Sequence, residues 1–157
     1  MIEPRFLHTL HKIYTLLKEC QTDWVITGSL GMALQGMDIE IHDIDIQTDQ
    51  GGAYEIESRL AQYVVKPVCY LVSERICSHY GMLEIDGIKV ELMGDLQKRI
   101  GEQWEAPVKV GQYRRWIEKE GMQIPVLSLE YEYQAYLKLG RTEKAERLRE
   151  WLQSQKI

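Results

Sequence analysis

Two aspartates one residue apart, Asp43 and Asp45, are the natural starting point for chemistry in this sequence. They open the segment Asp-Ile-Asp-Ile-Gln-Thr, residues 43–48. Its period-two alternation predicts a strand with Ile44 and Ile46 inward and Asp43, Asp45 and Gln47 on the other face. On such a strand the carboxylates stand about 6.6 Å apart, at ~3.3 Å of rise per residue. They repel each other by roughly 2.5 kcal/mol at an effective dielectric of about 20. A divalent cation turns that repulsion into attraction, and Mg²⁺ suits the pair because it prefers carboxylate oxygens with phosphate and water. The plainer reading of the same spacing is an edge strand with a wet acidic face.

Two further groups bear on the pair. Upstream, Trp24 to Thr27 reads as a short buried strand that ends at Gly28-Ser29, and Leu30 to Gln35 as a helix closed by Gly36. A serine at or near a helix start satisfies a free backbone N–H. The same free N–H groups attract an anion, and Gly28 lets a phosphate approach the backbone closely. Both readings stay open on these residues alone. Downstream, Tyr80 to Gly94 reads as a hairpin of GMLEI and IKVEL around Asp86-Gly87, a pair suited to a type I′ turn. Ile88, Val90 and Leu92 alternate with Lys89, Glu91 and Met93. Glu91 therefore falls mid-strand on the non-core face, either solvated or joined to the aspartates as a third carboxylate. Glu84 and Asp86 are alternatives, Asp86 being accounted for by the turn.

The remaining elements must position these groups. Phe6, Leu7, Leu10, Ile13, Tyr14 and Leu17 recur at helical steps, with Pro4 in the first turn, and predict an amphipathic helix over 4–20. His8 and His11 on it are expected at the surface. Met37 to His42 is a connecting loop, and Asp49 to Gly52 has turn chemistry. Ala53 to Tyr63 is expected helical, with Ile56, Leu60 and Ala61 on one side. Val64 to Val72 is β-rich, and Lys66-Pro67 marks an edge position or a strand start. Gln97 to Pro107 shows no readable pattern. Val108 to Ile117 alternates and continues toward a Glu120-Gly121 turn. Met122 to Leu127 enters Ser128, a good N-cap with Glu130 behind it. A helix over Leu129 to Leu139 ends at Gly140. A second follows from Arg141 or Thr142, with Ala145, Leu148, Trp151 and Leu152 on its apolar face. The pair is expected to form a helical hairpin packed on the sheet.

At 157 residues the expectation is one domain, 1–157, with a core over 22–127 and C-terminal helices over 128–155. A net charge of −5 argues against general, charge-driven nucleic-acid binding. Cys20, Cys69 and Cys77 form no CxxC pair and read as reduced thiols of a cytoplasmic protein. No signal peptide is expected behind Glu3, Arg5 and Lys12. No apolar run reaches the ~20 residues of a membrane span.

The order strand, Gly-Ser, helix, Asp-x-Asp strand and later acidic strand resembles the nucleotidyltransferase fold of the polymerase-beta type. That resemblance implies an α+β fold, a mixed β-sheet flanked by helices with a C-terminal helical hairpin. Within it the chain is most similar to the small lincosamide and aminoglycoside nucleotidyltransferases. Trp24, Gly28-Ser29, Gly36, His42 to Ile46 and Val90-Glu91 carry the likeness. Pro125 to Tyr131, Tyr136 to Leu139 and Arg141 resemble the segment where that group enters its C-terminal helices. The resemblance implies attack of an acceptor hydroxyl on the α-phosphorus of a nucleoside triphosphate, with pyrophosphate leaving and two Mg²⁺ ions assisting. Asp43 and Asp45 would then ligate metal. Glu91 would ligate the nucleophile-side metal or accept the acceptor's proton. Gly28 and Ser29 would hold the triphosphate, with ATP the expected donor. Lys138 matches a family lysine near the nucleotide, the alternative being an exposed helical lysine. The acceptor would be a hydroxyl on a small molecule or a protein, and relatives often form homodimers. Two departures stand out. Asp38 and Glu40 occupy the stretch where many members carry an arginine, and Lys144 is followed by Ala145 where relatives often have aspartate. A catalytically silent binding module, antitoxin-like or regulatory, is the alternative class. The complete acidic triad favours the enzyme, since a module that only binds a partner has no need of clustered like charge.

Overall fold

Period-two alternation dominates the middle of the chain and builds one mixed sheet. The computed structural model describes residues 1–156. The strands are β1 (Trp24–Thr27), β2 (Ile44–Thr48), β3 (Val64–Val72), β4 (Ile76–Ile85), β5 (Ile88–Ile100), β6 (Gln103–Trp104), β7 (Arg114–Lys119) and β8 (Met122–Leu127). Their spatial order is β3-β4-β5-β2-β1-β8-β7, with β6 paired to the end of β5. The β2–β5 and β1–β8 pairs are parallel and the rest antiparallel. Around the sheet lie α1 (Pro4–Leu17), α2 (Gly28–Leu34), α3 (Gln50–Arg59), α4 (Leu129–Lys138) and α5 (Thr142–Ser154). The architecture is the α+β arrangement the sequence predicts.

One face of the sheet carries the main core. There α1 lays Phe6, Leu10, Ile13 and Leu17, and α3 lays Ala53 and Ile56, over Ile44, Ile46, Val90 and Leu92. Strand alternation sends the polar partners of these residues to the opposite face. That face is covered in part, by Tyr131 of α4 and by buried Val108 and Val110 against Val25, Leu96 and Leu127. The C-terminal helices thus form a pair, and α4 reaches the sheet through Tyr131. Leu148 of α5 packs on Leu129 and on Met32 and Met37, which belong to α2 and the loop after it.

Several local readings hold. Asp86 (φ 51°) and Gly87 (φ 80°) both have positive φ, as a type I′ turn requires. Glu120 (φ 48°) and Gly121 (φ 80°) repeat the pattern between β7 and β8. β3 is an edge strand, as Pro67 suggested. His8 and His11 are exposed, and Ser128 caps α4 by accepting from the Tyr131 N–H.

Others change. β2 is not an edge strand; it lies between β5 and β1. Asp49 to Gly52 is no free turn. Asp49 is the N-cap of α3 and accepts from the Gly52 N–H at 2.6 Å, so turn-forming residues here start a helix. That helix ends at Arg59, which leaves Ala61 exposed in a separate helical turn while Ile56 and Leu60 stay buried. The unreadable stretch begins inside β5, which runs to Ile100 because buried Lys98 interrupts its apolar pattern without ending it. Residues 110–112 form a helical turn before β7 begins at Arg114, with Gly111 tight against the Asp23 carboxylate.

This placement predicts unequal costs. Ile46→Ala, in the fully buried core, is expected to lower unfolding free energy by about 3 kcal/mol in urea titration. Trp116→Ala is expected to cost under about 1 kcal/mol, because the ring is 56% exposed on edge strand β7. Equal losses would mean that the sheet faces are wrongly assigned.

Candidate active site

The parallel pairing of β2 with β5 sets Asp45 directly opposite Glu91. Thr27 of β1 stands opposite Asp45 on its other side. Cross-strand partners share a face, so Thr27, Asp45 and Glu91 form a row on the face away from the main core. Asp43 precedes Asp45 by one pleat, and Lys89 precedes Glu91 likewise. The Lys89 ammonium lies 3.6 Å from Asp43 Oδ2 and 3.4 Å from Glu91 Oε1. The Tyr80 phenol donates to Glu91 Oε2 at 2.6 Å. Burial first, then that bond, pushes the Tyr80 pKa up and keeps the phenol a donor. The structure therefore brings Asp43, Asp45 and Glu91 onto one patch. Glu84 is exposed, opposite Lys89 in the hairpin register, and Asp86 binds Lys12 at 2.7 Å, so neither replaces Glu91.

The turn from β1 into α2 closes over the row. α2 begins at Gly28, earlier than expected, so Ser29 lies in its first turn and Thr27 is the N-cap residue. Gly28 has φ +68° and presses against Asp45, where any Cβ would meet the carboxylate. Its N–H is not free for an anion. It donates to Glu132 Oε2 at 3.2 Å, while the Thr27 hydroxyl donates to Glu132 Oε1 at 2.7 Å. The Ser29 hydroxyl accepts from the His42 N–H at 3.3 Å and so ties the loop ahead of Asp43 to α2.

A cleft of about 550 Å³ opens beside this turn. It is lined by Gly28, Ser29, Glu40, Asp43 and Asp45 together with Tyr136, Arg141, Glu143, Lys144 and Arg147 of the C-terminal segment. Lys138 does not line it; its ammonium binds Glu105 at 2.9 Å. Burial, then the charges of Glu91 and Asp43, push the Asp45 carboxyl up to about 7, against the pull of Lys89 and Lys144. That is the imbalance a bound cation corrects, and carboxylate oxygens are the donors Mg²⁺ prefers. The donor set of Asp43, Asp45 and Glu91 fits by type. Among the described residues, though, no three acidic, histidine or cysteine side chains already converge as a cage.

The sequence of residues 9–152 matches the aminoglycoside-2″-adenylyltransferase family. The chain belongs to that family. It is similar to a Thermotoga maritima protein provisionally described as a nucleotidyltransferase, at 59% identity and TM-score 0.87, over 99% of this chain and 97% of that one. Two more distant structures share the fold. A lincomycin-bound lincosamide adenylyltransferase, LnuA, matches at 14% identity and TM-score 0.60, over 90% and 95% of the two chains. ANT(2″)-Ia in complex with adenylyl-2″-tobramycin matches at 14% identity and TM-score 0.60, over 94% and 90%. No curated protein matches the chain by sequence. No helix among the described residues is long and apolar enough to cross a membrane.

Family membership sharpens the two sequence departures. The acidic stretch Asp38 to Glu40 is pinned from α5, since Arg147 donates to the Asp38 carbonyl at 2.6 Å. Cationic side chains thus enter the cleft from the C-terminal pair and not from the residues ahead of Asp43. Glu132 is the site residue that sequence reasoning missed. It is 5% exposed, and burial pushes its carboxyl up to about 7 against the pull of Thr27 and Gly28. In the sequence it looks like one more helical glutamate. The one available signal was that it lies between two stretches that carry the family likeness, Pro125 to Tyr131 and Tyr136 to Leu139.

Glu132 generates a pH prediction. Its folded pKa of about 7 lies above the ordinary 4.5, so the folded state holds the proton more tightly. The contribution of Glu132 to stability is therefore full below pH 4.5 and is lost as pH rises through 7, by about 3 kcal/mol. Glu132→Gln, a neutral mimic of the protonated acid, is expected to remove that part of the decline in urea titrations at pH 5 and pH 8. Parallel pH profiles for the two proteins would contradict this account.

Proposed function

We propose that the chain is a Mg²⁺-dependent nucleotidyltransferase. It moves a nucleoside monophosphate from a nucleoside triphosphate, with ATP the expected donor, to a hydroxyl on a small molecule or a protein. The observation that carries this reading is the register of Asp45 with Glu91, one pleat from Asp43, where Asp43 and Asp45 line a cleft that Arg141, Lys144 and Arg147 line with them. Asp43, Asp45 and Glu91 would hold the metal ions. Bound Mg²⁺ supplies charge neutralisation for the phosphoryl oxygens and alignment of the nucleophile.

The chain's own residues divide the remaining work. Arg141 and Lys144 offset the charge of the triphosphate from the α4–α5 side. Gly28 gives it a wall without a side chain, and Ser29 offers a hydroxyl. Glu91, oriented by the Tyr80 phenol, completes the carboxylate set on the side of the acceptor hydroxyl. The family name supports an adenylyl donor, and the ligands of LnuA and ANT(2″)-Ia support small-molecule acceptors.

The test is calorimetry of ATP with and without Mg²⁺, followed by α-labelled triphosphates and a panel of hydroxyl acceptors that includes the protein itself. Asp43→Asn/Asp45→Asn is expected to abolish Mg²⁺-dependent binding. Asp45→Asn alone should cut turnover at least roughly 100-fold, corresponding to ~3 kcal/mol of lost transition-state stabilisation. Isotherms indistinguishable between wild type and the double variant would sink the site. Nucleotide binding without label transfer would favour the silent-module alternative.

A further inference from the structure

Lys89 has no part in the mechanism above, yet it touches two of its three carboxylates. It sits on β5 two residues before Glu91, so strand alternation puts both side chains on one face. Ile44 pairs with Val90 in the parallel register, which brings Asp43 alongside Lys89. The ammonium lies 3.4 Å from Glu91 Oε1 and 3.6 Å from Asp43 Oδ2. We propose that Lys89 is a resident counter-cation, holding Asp43 and Glu91 together in the metal-free protein and displaced when a divalent ion takes those oxygens.

Three physical points support this. Like charges gathered on one sheet face repel, and a positive charge among them lowers that cost. Lys89 supplies it from within the chain, its ammonium lying between Asp43 and Glu91. The oxygens it contacts belong to the proposed metal ligands, so an ammonium and a metal ion compete for them. The side chain is also free to leave: it is 46% exposed, and its four-carbon stem reaches solvent without backbone movement. An arginine would keep the charge and add a forked grip on carboxylate; a neutral residue would leave the carboxylates unscreened.

The inference rests on the proposed metal site, so the experiment separates the two. Mn²⁺ binding is measured by electron paramagnetic resonance, without nucleotide, on wild type, Lys89→Met, Lys89→Arg and Asp45→Asn. Thermal unfolding is followed in chelator and in Mn²⁺. Lys89→Met is expected to bind Mn²⁺ roughly three- to tenfold more tightly than wild type, from the loss of two partly exposed competing pairs. Lys89→Arg should stay at or below wild-type affinity. Lys89→Met should also melt lower than wild type in chelator and gain more from Mn²⁺. If Lys89→Met binds Mn²⁺ no more tightly than wild type while Asp45→Asn loses it, the counter-cation role is overturned and the metal site stands. If neither wild type nor Lys89→Met binds Mn²⁺, the metal site itself falls and the counter-cation role with it.

Discussion

Carboxylates of like charge do not gather unless something else forces them together. Here the force is the parallel pairing of β2 with β5. Ile44, Ile46, Val90 and Leu92 are completely buried on the far side of those strands. A slip of β2 by one residue would turn Ile44 and Ile46 outward and bring Asp43 and Asp45 in, and a slip of β5 would do the same to Val90, Leu92 and Glu91. Burying side chains of this size is worth roughly 1.5–3 kcal/mol each. The repulsion between two carboxylates at this spacing is about 2.5 kcal/mol or less. Four buried aliphatic residues outweigh it, so the register is set by the core and the acidic patch is carried along. The site is thus assembled by residues that never touch it.

That division explains what the sequence made legible. The alternation of residues 43–48 and of the β4–β5 hairpin is local, and it revealed both the buried isoleucines and the face on which Asp43, Asp45 and Glu91 lie. The Asp86-Gly87 turn is local too. Nothing local says that β2 is flanked on both sides, because strand neighbours are chosen by distant segments: β5 on one side and β1 on the other. Asp49 shows a different limit. Turn residues and helix caps use the same side-chain bonds to backbone N–H groups, so the chemistry was read correctly and the element wrongly. Glu132 was illegible for the plainest reason. Its partners, Thr27 and Gly28, are about a hundred residues away.

Cations at the cleft follow the same logic of supply from a distance. The stretch before Asp43 carries Asp38 and Glu40, which by themselves would repel a phosphate. The C-terminal pair answers with Arg141, Lys144 and Arg147, and Arg147 also holds the acidic loop by its backbone at Asp38. Helix α5 can do this because its apolar side rests on Leu129 of α4 and on Met32 and Met37. Packing on α2 brings its basic residues over the turn that bears Gly28 and Ser29. The expected lysine, Lys138, lies on α4 and is turned instead toward Glu105.

The β1–α2 turn is where these constraints meet. Gly28 separates two carboxylates, Asp45 and Glu132, each raised to about 7 chiefly by burial. Its missing side chain leaves room for Asp45, and its N–H is given to Glu132. A side chain at this position would face a collision and an unfavourable φ together. The glycine is therefore demanded by protein–protein contacts alone, before any phosphate is considered. This weakens Gly-Ser as a sign of phosphate binding and strengthens it as a sign of an acidic strand packed behind the turn. The Thr27 hydroxyl, which a helix start would ordinarily use as its cap, is spent on Glu132 instead. The turn is held from α4, so the position of Gly28 against Asp45 depends on a residue that lies beyond every strand of the sheet.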